Sequence, residues 1–160
     1  MICSDCAISG DVRIISGAIV HPRVSISASE DNSTLISAGS IIEEMCHLKD
    51  TSVGKDCLLG IGTVISESIV GSSTQFGPKC KINNCNIGGN CIIGPAIVLS
   101  YVTIPDNTSV YMEDGRWTCR QIAAENINII RGYQDKLSNP ESINCMSKNF
   151  TPHQHPHDQE

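Results

Sequence analysis

The stretch that decides the fold runs from Val53 to Val110. It opens Val53-Gly54-Lys55-Asp56-Cys57-Leu58-Leu59-Gly60-Ile61-Gly62-Thr63-Val64-Ile65 and closes Ile104-Pro105-Asp106-Asn107-Thr108-Ser109-Val110. Large apolar residues fall at Val53, Leu59, Ile65, Val70, Phe76, Ile82, Ile87, Ile93, Leu99, Ile104 and Val110, in steps of six, six and five. Seventeen residues therefore return the chain to the same place after three sides, and a fixed short period marks a solenoid in which each repeat packs on its neighbours.

Read backwards from Val53, the register continues through Leu48, Ile42 and Ile36, crosses an insertion, and resumes at Ile26, Val20, Ile14, Ile8 and Ile2. All nineteen positions are Ile, Val, Leu or Phe, although these four types supply only 40 of the 160 residues, so chance does not explain the register. The fourth residue after each is Cys, Ser, Thr, Ala, Val or Ile in sixteen of nineteen cases; Glu30, Asn86 and Asp114 are the exceptions. Among these Cys6, Cys46, Cys57, Cys80 and Cys91 share their position with Ser40, Thr63, Thr74, Thr103 and Thr108, and all are expected to be small buried corner residues. One short strand per side, alternate side chains inward, and a tight turn at each corner describe a triangular prism whose coils stack at roughly 4.8 Å. Ser9-Gly10-Asp11, Gly71-Ser72-Ser73, Gly77-Pro78-Lys79, Gly88-Gly89-Asn90 and Gly94-Pro95 follow register residues and are expected to supply the positive or fixed φ of a sharp corner.

Residues 27–35, Ser-Ala-Ser-Glu-Asp-Asn-Ser-Thr-Leu, stretch one step to ten and must loop outward from a filled interior. After Val110 the pattern changes. Asp114-Gly115-Arg116-Trp117 breaks the repeat, and Ile122, Ala123, Ile127, Ile130, Tyr133 and Leu137 mark an apolar face at helical spacing up to Ser138-Asn139-Pro140, which predicts a helix near 120–137. The expected organisation is a β-helix of about six coils over 1–113, a helical extension over 114–139, and a disordered polar tail over 140–160.

Composition narrows the function classes. Aromatic residues make up 4% and charged residues 18%, with a net charge of -6 and no basic stripe, so no nucleic-acid surface is expected. No run of 18 apolar residues and no signal-like N-terminus is present, so the chain reads as soluble, with no membrane span. Nine cysteines, an odd number, fit free thiols in a reducing compartment. Cys3-Ser4-Asp5-Cys6 has Cys-x-x-Cys spacing but lacks a second pair, and the tail His153-Gln154-His155-Pro156-His157 has nothing beside it to complete a shaped metal site.

The period and units such as Ile87-Gly88-Gly89-Asn90-Cys91 resemble the left-handed parallel β-helix superfamily of hexapeptide-repeat proteins, which holds acyltransferases, gamma-class carbonic anhydrases and non-catalytic members. The handedness comes from this resemblance, because ordinary crossovers are right-handed. Against the carbonic anhydrases, the turn Ile42-Glu43-Glu44-Met45-Cys46 matches, but the three zinc-ligand positions hold Lys49, Ile61 and Ser66. Against the acyltransferases, only His21 or His47 stands as a general base; the insertion contains no histidine, and both side chains are expected on the surface.

Gly10-Asp11-Val12-Arg13-Ile14, Ala18-Ile19-Val20-His21-Pro22-Arg23, Gly39-Ser40-Ile41-Ile42-Glu43-Glu44 and Val102-Thr103-Ile104-Pro105-Asp106-Asn107-Thr108-Ser109-Val110-Tyr111 resemble the dynactin subunit 6 family, a non-catalytic branch. One departure is the short Lys49-Asp50-Thr51-Ser52 link, where that family often carries a longer insertion. The resemblance implies a cytoplasmic, cytoskeleton-associated, non-enzymatic subunit of the dynactin pointed-end complex without cofactors. Its partners would be a related β-helical subunit of the dynactin subunit 5 kind and a pointed-end actin-related protein, in support of dynein cargo binding. Arg13, Arg23, Glu43, Glu44, Lys49 and Tyr111 are the candidate contacts; the alternative is a hexapeptide-repeat acyltransferase or, less favoured, a carbonic anhydrase-like enzyme.

Overall fold

The computed structural model describes residues 1–123 and, by backbone alone, the short strand Asp158–Gln159. Three parallel sheets form the three sides. The first collects Ala7–Ser9, Ser25–Ser27, His47–Lys49, Val64–Ser66, Lys81–Asn83 and Val98–Ser100. The second collects Val12–Ile15, Thr34–Ile36, Ser52–Val53, Ile69–Val70, Asn86–Ile87 and Thr103–Ile104, with Asp158–Gln159 beside its first strand. The third collects Ile19–Val20, Ile41–Ile42, Leu58–Leu59, Gln75–Phe76, Ile92–Ile93 and Thr108–Glu113. Partners along the central coils lie seventeen residues apart, as in Val64 to Lys81 to Val98, so the sequence period is the rise of one coil.

Of the nineteen register residues, eighteen are at most 3% exposed, and Ile8 in the first coil is half-buried. They form one continuous aliphatic column. Burial of each such side chain contributes about 1.5–3 kcal/mol. This column is the main force that sets each coil on the next.

The corner residues need a correction. Six-residue sides bury the fourth residue, as at Ser40, Cys46, Cys57, Thr63, Thr74, Cys80 and Cys91. Five-residue sides bury the third instead: Thr51, Ser68 and Cys85, while Ile69 is 59% exposed and Thr103 is exposed. The constant is two residues before the next register position, because side chains alternate along a strand and residues i−2 and i share a face. Counting forward crosses a turn of variable length; counting backward stays on the strand.

The glycines need a second correction. Gly71, Gly77, Gly88 and Gly94 do not carry the positive φ; the left-handed corner residues are mostly others, among them Arg23 (φ 59°), Met45 (59°), Ser73 (60°), Lys79 (62°), Asn90 (55°) and Ala96 (57°). The glycines answer to the close approach of coils. A Cβ on Gly60 would lie 2.6 Å from the carbonyl carbon of Gly77, and one on Gly77 would lie 2.7 Å from the nitrogen of Pro95.

The insertion is pinned rather than loose. Asp50 Oδ1 accepts from the Ser29 N–H at 2.7 Å and its Oδ2 from the Ser29 hydroxyl at 2.8 Å, while Asn32 Nδ2 donates to Ser29 Oγ at 2.7 Å. The chain re-enters the prism at Thr34, fully buried, whose hydroxyl donates to the Ser27 carbonyl at 2.7 Å.

After Val110 the structure departs from the expected helical extension. Thr108–Glu113 and Arg116–Gln121 form an antiparallel hairpin closed by Asp114 (φ 51°) and Gly115 (φ 77°). Asp-Gly with both residues at positive φ is the favoured two-residue hairpin turn, a signal the helical spacing of the later residues obscured. The remainder of the helix expected near 120–137 lies outside the described residues, as does the tail apart from Asp158–Gln159. No helix among the described residues is long and apolar enough to cross a membrane.

Candidate functional site

The residues one place past the register on the third sheet make a column up one corner: His21, Glu43, Gly60, Gly77, Gly94 and Tyr111. Successive backbone bonds tie it together, from His21 N–H to the Ile42 carbonyl at 2.9 Å, Glu43 to Leu59 at 3.0 Å, Gly60 to Phe76 at 2.9 Å, Gly77 to Ile93 at 2.7 Å and Gly94 to Val110 at 2.8 Å. Three consecutive glycines leave the middle of the column without side chains. The result is an open trough of about 340 Å³, flanked by Ile61, Pro78 and Pro95 on one side and by Leu58, Gln75 and Ile92 on the other.

Glu43 stands at one end of this trough and His21 one coil beyond it. His21 is 8% exposed, which corrects the expectation of a surface histidine. Burial pushes its pKa below 6.5, and the Glu44 carboxylate pulls the other way by less. The imidazole is thus neutral at neutral pH, and a nearby negative charge favours any imidazolium that forms. Burial raises the Glu43 carboxyl above 4.5, with the neighbouring Glu44 adding to the rise. Arg23 Nη2 donates to Glu44 Oε2 at 2.6 Å, an ion pair whose arginine side chain is 62% exposed. The Cys6 thiol donates to the His21 carbonyl at 3.0 Å and joins the first coil to the same corner.

The structure therefore brings Arg23, Glu43 and Glu44 together with His21, and puts Tyr111 at the far end of the same column, its ring under the Arg120 guanidinium at 5.7 Å. Arg13 lies apart on the second sheet and Lys49 on the first, both exposed. His47 is exposed on the first sheet, away from the corner. Ser66 sits beside Lys49 and donates to Asn83 Oδ1 at 2.8 Å, whereas Ile61 is the trough's exposed rim. No group of three or more His, Cys, Asp and Glu residues among those described is arranged to hold a metal ion. The trough itself went unread in the sequence, although counting one place past each register residue spells His, Glu, Gly, Gly, Gly, Tyr.

No protein-family model and no curated protein matches the chain. Solved structures match its fold. A hexapeptide transferase family protein from Anaplasma phagocytophilum is similar at a TM-score of 0.61 and 14% identity, covering 86% of this chain and 87% of that one. LpxA, a UDP-N-acetylglucosamine acyltransferase from Bacteroides fragilis, is similar at a TM-score of 0.59 and 18% identity, covering 91% of this chain and 68% of that one.

The fold is a left-handed parallel β-helix of hexapeptide repeats.

These likenesses correct the expectation of a chain that is not an enzyme. That expectation rested on Lys49, Ile61 and Ser66 at zinc-ligand positions, which bears on one zinc-dependent chemistry alone. The similar structures are named as transferases, and acyl transfer needs a base and an oriented thioester rather than that zinc site. At 14% and 18% identity, what they show is the shared fold.

Proposed function

We propose that the protein is an acyltransferase in which His21 is the general base at the Glu43 end of the trough. The observation that carries this reading is the burial of His21 beside Glu44, which keeps the imidazole neutral and gives its protonated form a counter-charge. An acceptor N–H or O–H attacks the carbonyl carbon of an acyl thioester while the imidazole takes the proton. When the tetrahedral intermediate collapses, the C–S bond breaks and the thiolate recovers that proton. Base catalysis of this kind contributes roughly 10²–10⁴-fold to rate. With acetyl coenzyme A as a generic thioester and a panel of amino and hydroxy acceptors, thiol release should fall by roughly that factor in His21→Asn. It should be unchanged in His47→Asn; equal activity in His21→Asn and wild type would sink the reading.

A second, compatible proposal concerns partners. Val98, Met112 and Trp117 are 59%, 50% and 42% exposed and close around a pocket of about 460 Å³ where the hairpin leaves the prism. An apolar patch of this kind suits a docking surface, and the dynactin resemblance suggests a related β-helical subunit as its occupant. Co-purification of dynactin components from the native cell, lost in Trp117→Ala, is the expected result; their absence from the wild-type eluate refutes it.

A further inference from the structure

We propose that the trough takes an amine with an apolar body, its ammonium group paired with Glu43, so that the acyl acceptor of the reaction is an amine rather than an alcohol. The inference rests on the acyltransferase reading for the fate of the bound amine and on the trough alone for its binding.

Among the described residues, Glu43 is the one charged side chain lining the trough, and the rest of the lining is apolar or glycine save Gln75. No ion pair or hydrogen bond to the Glu43 side chain exists among the described residues. Arg23, a cation of this corner, is bound to Glu44. A half-buried carboxylate at the end of an apolar trough, without a counter-ion among the described residues, is complementary to a single positive charge carried on an apolar frame. Ile61 on the rim is 43% exposed, and Pro78 and Pro95 continue the same side, giving the frame a surface to cover. The glycines make the trough obligatory rather than incidental, since a Cβ at Gly60 or Gly77 would collide with the next coil's backbone.

The chemistry balances with the groups present. Glu43, whose carboxyl burial already favours protonation, takes one proton from the ammonium and releases it to solvent. The free amine attacks the thioester carbonyl, and His21 takes the second proton as the N–C bond forms. It returns that proton to the thiolate as the C–S bond breaks, leaving an amide, a thiol and one proton in solution.

Hexylamine and 1-hexanol, titrated against the full chain at neutral pH by calorimetry or amide chemical shifts, are the probes. Hexylamine should bind about tenfold more tightly than hexanol or better, a difference of about 1.4 kcal/mol. Glu43→Gln should remove that preference without lowering the thermal midpoint, since the carboxylate it replaces is disfavoured by burial, and Ile61→Ala should weaken both probes alike. Equal binding of the two probes to the wild type, or a preference that survives Glu43→Gln, overturns the proposal. Acyl transfer to alcohols but never to amines overturns it too, while the acyltransferase reading stands. An amine preference that depends on Glu43, without transfer from any thioester, supports the binding inference and removes the acyltransferase reading instead.

Discussion

The hydroxyl of Ser40 shows why the corners are built from Ser, Thr and Cys rather than from any small residue. Its Oγ donates to the Gly54 carbonyl at 2.7 Å and accepts from the Cys57 N–H at 3.1 Å, and the Cys57 thiol then donates to the Gly71 carbonyl at 3.1 Å. Thr74 repeats the arrangement with the Gly88 carbonyl at 2.7 Å and the Cys91 N–H at 3.2 Å. Each of these hydroxyl and thiol side chains serves a backbone group that the turn takes out of the sheet ladder. Ser40→Ala strands a buried N–H and weakens a carbonyl's hydrogen bonding, and should cost about 1–3 kcal/mol by denaturant unfolding. The same burial pushes the Cys46 thiol up to about 12 and the Cys57 thiol up to about 11. A thiol that stays protonated is a poor nucleophile, so alkylation of the native protein at neutral pH should mark exposed Cys119 and spare Cys46 and Cys57 until the chain unfolds. The sequence showed small residues at these places. It did not show the bonds, because their partners lie fourteen or seventeen residues away in neighbouring coils.

Ala96 makes a similar point about backbone conformation: at φ 57° it occupies a region that favours glycine, and Ala96→Gly should raise stability by about 0.5–1 kcal/mol.

Among the elements, the 27–35 insertion depends on Asp50. The Ser29 N–H and hydroxyl hold its carboxyl below 3.8, with burial opposing and Lys49 helping slightly. A carboxyl whose folded pKa is depressed contributes its full share above the unfolded value. That share disappears as pH falls through the folded value. The loop should therefore stay closed from neutral pH down to about 4 and open only in stronger acid, whereas Asp50→Ala should open it at all pH values. Limited proteolysis within 28–33 reads both, and unchanged cleavage of Asp50→Ala would show that Asn32 and Thr34 hold the loop unaided. The hairpin at the other end was legible in Asp114-Gly115, but the helical spacing downstream drew the expected extension one element too early.

Across the whole molecule, stability rests on one narrow column through which every coil touches the next. Ile82 in its middle is 1% exposed and lies between Ile65 and Leu99, while Ile8 in the first coil is half-buried. Ile82→Ala should therefore cost about 2–5 kcal/mol, near the upper range for a cavity that cannot collapse. Ile8→Ala should cost clearly less, since water already reaches its site, and equal losses in the two variants would contradict a column that opens to water at its first coil. The register, the three sides, the coil rise and the aliphatic core were all determined by the sequence, because alternation along a strand and a repeat of seventeen are local properties of the chain. The trough, the burial of His21 and a Glu43 without a partner among the described residues were decided by the tertiary structure. They depend on which residues become neighbours across coils and on where three stacked glycines leave no side chain, and only the stacking brings those facts to one corner.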